Sequence, residues 1–75
     1  MKLIELSHYT TNKIRLHAVP YEAEEGAEFE YIETYSPREL FTLPQFMQKA
    51  LIVVDGIEVS LDGQLDVFVT YHEGE

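Results

Sequence analysis

The sequence predicts an α+β fold: a small antiparallel sheet of five or six strands, in the order ββ(β)-α-βββ, with one helix packed on one face. Three observations predict it. Residues Lys13 to Val19 alternate cleanly between apolar and polar, Ser36-Pro37-Arg38-Glu39 announces a helix ahead of an apolar stripe, and two Asp-Gly pairs divide the C-terminal part of the chain into β-rich pieces. A small β-barrel plugged at one end by the helix is the alternative. With 75 residues the chain makes one domain, 1–75, around one core; a chain this short buries only about 60% of its unfolded surface. At 45% hydrophobic and 25% charged residues it has the composition of a folded protein and not of a disordered tail.

Element by element, Lys2 to Tyr9 is rich in β-compatible apolar residues, and Thr10-Thr11-Asn12 supplies a turn into Lys13 to Val19, which together read as an N-terminal hairpin. Along the second strand Ile14, Leu16 and Ala18 share one face and Lys13, Arg15 and His17 the other. Pro20 closes the strand because it has no amide to donate. Tyr21 to Gly26 reads as an acidic loop. Alternation resumes over Ala27 to Tyr35, a third strand with Phe29, Tyr31 and Tyr35 on one side and Glu28 and Glu30 on the other. If it pairs with the second strand, those two glutamates neutralise the basic stripe of Lys13, Arg15 and His17 through cross-strand pairs.

Ser36 suits a helix cap, Pro37 the first helical position and Glu39 the third, where it completes a capping box. The helix should run from Ser36 to about Leu51 with Leu40, Leu43, Met47 and Leu51 as its stripe. Pro44 removes a donor in the middle, which calls for a kink or two short helical turns, with Thr42 as a cap for the second. Beyond Ile52, Asp55-Gly56 and Asp62-Gly63 mark the turns of a meander. At the second turn, a three-residue loop Leu61-Asp62-Gly63 with Gly63 left-handed sets Ile57 opposite Val67 and Val59 opposite Leu65, keeping apolar residues together. The same register sets Glu58 against Asp66, a mildly unfavourable like-charge pair.

Charge narrows the functions open to such a domain. Fourteen acids against five bases leave −9. Residues 1 to 20 contribute Lys2, Lys13 and Arg15 against Glu5, a balance of +2, so the remainder holds −11. Phosphate-driven nucleic-acid binding depends on cations and is excluded as the leading activity. The absence of Cys removes disulfides, thiolate nucleophiles and zinc–cysteine sites. His8, His17 and His72 are too scattered to suggest a metal site, and Ser7, Ser36 and Ser60 lack the setting of a nucleophile. No cofactor motif is present, so the chain reads as a non-enzyme. No apolar run reaches the roughly 18 residues of a membrane span, and Glu5 interrupts any signal-peptide core after Lys2-Leu3-Ile4, which favours the cytoplasm.

The densest charge is the stretch Glu22 to Glu33, with Glu22, Glu24, Glu25, Glu28, Glu30 and Glu33. Charge runs are usually solvated faces that keep a protein soluble. The functional alternative is an interaction protein whose Glu22, Glu24, Glu25, Glu28 and Glu30, with Tyr21 and Tyr31 as anchors, dock on a basic surface of another protein. A nucleic-acid-binding protein is the natural candidate, and by size and charge alone the chain is analogous to phage and mobile-element inhibitors that mimic a nucleic-acid backbone. The rival expectation is an assembly subunit that homo-oligomerises through a strand edge such as Leu65 to Tyr71; a weaker one is a small-ligand binder at an oligomer interface.

Overall fold

The computed structural model describes residues 1–72. Four strands, β1 (Ile14–Pro20), β2 (Glu30–Tyr35), β3 (Leu51–Val59) and β4 (Leu65–Tyr71), form one mixed sheet in the order β2-β1-β4-β3. β1 pairs antiparallel with β2 and parallel with β4, while β3 pairs antiparallel with β4. Two 3-10 helices, Leu3–His8 and Pro37–Thr42, and one α-helical turn, α1 (Gln45–Gln48), lie over one face. The expected five or six antiparallel strands with a packed helix are therefore corrected to four strands of mixed direction under short helical pieces.

Each departure has a physical cause. The N-terminal strand is a 3-10 helix because Leu3 and Leu6, three apart, are both buried, a spacing that fits three residues per turn and that strand alternation would split between faces. The expected hairpin with β1 does not form; Lys2 instead makes a bridge to Leu51 at the start of β3, flanked by bonds from the Leu3 amide to the Ala50 carbonyl (2.8 Å) and from the Ile52 amide to the Met1 carbonyl (2.9 Å). The long helix fails at Pro44. Its ring pushes Leu43 to an extended backbone (ψ 155°), which separates the 3-10 helix from α1 and yields the two short turns that Pro44 implied. Thr42 does not cap the second; its hydroxyl donates to the Glu39 carbonyl. At the first turn the Glu39 carboxylate reaches back to accept the Ser36 amide (3.1 Å), the bond expected of a capping box.

The meander is a hairpin of two strands. Asp62-Gly63 turns as expected: Gly63 has φ +82°, the Ser60 amide donates to the Gln64 carbonyl (2.9 Å), and Ile57 faces Val67, Glu58 faces Asp66 and Val59 faces Leu65. Asp55-Gly56 instead makes a bulge inside β3, where the register jumps between Ile52 and Ile57 and Asp55 takes φ +58°. Gly56 is required there by close approach, since a Cβ would lie 2.8 Å from the Val53 carbonyl and 2.9 Å from that of Phe68.

The helical segment from 37 to 48 carries the chain across the sheet, from edge strand β2 to the opposite edge β3, and β4 returns into the gap beside β1. Leu65 to Tyr71 is consequently an interior strand with neighbours on both sides, and the edge that the assembly reading assigned to it does not exist. Between sheet and helices Leu3, Leu6, Leu40 and Met47 close over Ile14, Leu16, Val67 and Val69, all buried. Among the described residues no helix is long and apolar enough to cross a membrane.

Candidate functional site

The acidic residues sit where β1 hands over to β2. Residues 21–29 form a connection pinned by three backbone bonds: Tyr21 amide to Tyr71 carbonyl (2.8 Å), Ala23 amide to Pro20 carbonyl (3.0 Å) and Ala27 amide to Glu24 carbonyl (3.0 Å). Gly26, at φ +88°, supplies the reversal. Glu22, Glu24, Glu25 and Glu28 are exposed on this connection, and Glu30 is exposed at the start of β2. None of the five joins an ion pair among the described residues. Tyr21, 63% exposed, lies against the His72 ring at 4.4 Å. Tyr31, 55% exposed, is on the sheet face that no helix covers, with its hydroxyl 2.8 Å from Thr34 Oγ1. Six of the seven thus follow one another along the chain from Tyr21 to Glu30, and Tyr31 is turned to the open face.

On that open face Arg15 and His17 of the basic stripe are engaged by a carboxylate, but not by Glu28 or Glu30. Arg15 donates from Nε to Asp66 Oδ1 (2.9 Å) and from Nη2 to Oδ2 (3.0 Å), and His17 Nε2 is 2.9 Å from Oδ1. Asp62 adds a looser contact to Arg15 at 3.7 Å. The hydrogen bond from His17, followed by that from Arg15, holds the Asp66 carboxyl below the usual aspartate value, and Asp66 in turn raises Arg15. The His17 ring stacks on Phe68 at 4.6 Å, and Phe29 meets Phe68 edge-on at 5.4 Å. Asp66 is held by two partners at once, so the group braces the face.

A bulge in β2 explains the misplaced glutamates. Between Leu16 and His17 the register slips by one, pairing Leu16 with Glu33, His17 with Tyr31 and Ala18 with Glu30. Tyr31 therefore joins His17 on the open face, and Glu30 falls beside Ala18 on the core-facing side. Asp66 was missed as a site residue because its partners come through the parallel β1–β4 pairing, which no local signal announces. The one available hint was its like-charge position opposite Glu58, a pair that calls for a nearby cation.

Two hollows are relevant. The larger, about 330 Å³, lies where the two 3-10 helices meet, lined by Ser7, Thr10, Thr11, Ser36, Pro37 and Arg38. Two of its hydroxyls are engaged locally: Ser7 donates to the Ile4 carbonyl (2.8 Å) and Thr10 accepts the Asn12 amide (3.0 Å). The second, about 280 Å³, opens beneath the acidic connection, with Ala18, Ala23, Ala27, Ile32 and Tyr71 in its walls and Glu28 and Glu30 in its lining. Among the described residues no three His, Asp or Glu side chains converge as metal ligands would. Comparison with protein-family models, with curated proteins and with solved structures gives no match to this chain.

Proposed function

We propose that the protein is an acidic interaction module whose β1–β2 rim docks on a basic surface of another protein, a nucleic-acid-binding protein being the class whose surface best complements it. The supporting observation is the division of charge within the fold. Arg15 and His17 are taken up by Asp66 on the open face, whereas Glu22, Glu24, Glu25, Glu28 and Glu30 lie exposed along the β1–β2 connection and the start of β2, in no ion pair among the described residues. Carboxylates held in one place by a hydrogen-bonded connection raise the encounter rate with a cationic partner and fix its orientation. A solvated face that only confers solubility has no need of such concentration.

The test is capture from a host lysate on immobilised protein at low and high salt, beside a variant with the five glutamates changed to glutamine. The proposal expects basic proteins that are retained by the native chain in low salt, released by added salt and not retained by the variant. Retention by the variant of the same proteins, or indifference to salt, refutes it.

A second reading, assembly through a sheet edge, finds its support at β3. Val54 (92% exposed) and Val59 (72% exposed) are uncovered apolar residues on this outer strand. Because Ser60 bonds inward to Gln64, alternation turns the backbone groups of Ile57 and Val59 outward. Light scattering after gel filtration separates the readings, a closed oligomer favouring assembly and a monomer the acidic module.

A further inference from the structure

Resting on the interaction reading, we infer that the cleft beneath the acidic connection is an anchor pocket for one lysine side chain of the partner. The cleft is small and amphipathic. About 280 Å³ falls just under the roughly 300 Å³ at which pockets for whole small molecules begin. Ala18, Ala23, Ala27 and Ile32 give it apolar walls, and Tyr71, whose ring packs 5.6 Å from that of Phe46, closes one side. Its charged lining residues are Glu28 and Glu30, neither in an ion pair among the described residues.

The β2 bulge creates this combination. By setting Glu30 opposite Ala18 it places an unpaired carboxylate next to a buried apolar position. A lysine matches both halves, because its four-carbon stem lies along apolar surface while the ammonium, with three donors, bonds more than one carboxylate. Arginine is the poorer fit, since its planar fork favours two parallel bonds to one carboxylate.

The experiment tracks the alanine methyl signals of the labelled protein by NMR during titration with oligolysine, oligo-ornithine and oligoarginine of equal length. All three carry the same charge, and ornithine lacks one methylene of the lysine stem. Oligolysine should shift the Ala18, Ala23 and Ala27 methyls and bind about fourfold more tightly than oligo-ornithine, the factor for one buried methylene. Ala27→Leu, which fills the cleft from an exposed position, should abolish the Ala18 shift while the thermal melt confirms folding. Equal methyl shifts with lysine and ornithine, or shifts confined to the backbone of 22–25, overturn the anchor pocket and leave the acidic rim standing. No binding of any peptide at low salt overturns both.

Discussion

Asp66 shows what a single side chain does in this fold. It takes three short contacts from Arg15 and His17 and lies in the like-charge register with Glu58. Asp66→Asn keeps the shape and removes the charge, so it should lower stability by about 1 kcal/mol, read as a drop in urea midpoint. Acid pH acts on the same group. Asp66, Asp62 and Glu39 all have native values below their ordinary 3.8, 3.8 and 4.5, caused first by bonds from His17, from the Ser60 hydroxyl and from the Ser36 amide respectively. The unfolded chain then binds more protons than the native one on the acid side. Their stabilisation is complete above the ordinary carboxylate range and is lost as pH falls through the lower native values. The Asp66→Asn variant should lose less stability on acidification than the native protein; an equal loss in both would rule Asp66 out as a contributor. None of this network was legible from the sequence beyond the Glu58–Asp66 opposition, because Arg15 and Asp66 lie far apart in the chain and meet through a parallel ladder that leaves no local pattern.

Among the elements, legibility tracked the range of the interaction. The β3–β4 turn and its register could be read from Asp62-Gly63 and the apolar residues around it, and the break at Pro44 from proline's missing donor. Parallel pairing of β1 with β4 and the two bulges could not, since each depends on which strand arrives as neighbour. Asp55-Gly56 is the instructive case, because the same dipeptide that turns a hairpin serves as a bulge when the chain continues along one partner. Gly56→Ala should cost about 1–3 kcal/mol in denaturant unfolding, because the added methyl meets the backbone carbonyls of Val53 and Phe68, which have little room to give way. A neutral result would show that the bulge relaxes freely. Both edge strands are bulged, and the start of β3 is further covered by Met1 and Lys2, devices that discourage open-ended pairing. A monomeric mass in light scattering is the expected outcome.

For the molecule as a whole, charge and size set the behaviour. The protein extends 32 × 24 × 19 Å and carries −9. At about 0.01 M salt the screening length of roughly 30 Å lets every carboxylate feel every other, and at about 0.15 M it shrinks to roughly 8 Å. Added salt should therefore raise the melting temperature of the free protein by relieving self-repulsion, while it weakens the complex with a basic partner. The acidity was plain in the sequence, and so was its concentration over 22–33. The cleft was not, because it is made by a register slip and the curl of a loop. The measurement closest to the central claim is the dissociation constant of a captured partner for the native chain and for the variant with Glu22, Glu24, Glu25, Glu28 and Glu30 changed to glutamine, taken over a series of salt concentrations. Five exposed pairs at roughly 0.2–1 kcal/mol each predict a loss of at least about fivefold in the variant and a shallower salt dependence. Equal constants with equal salt slopes would contradict the account.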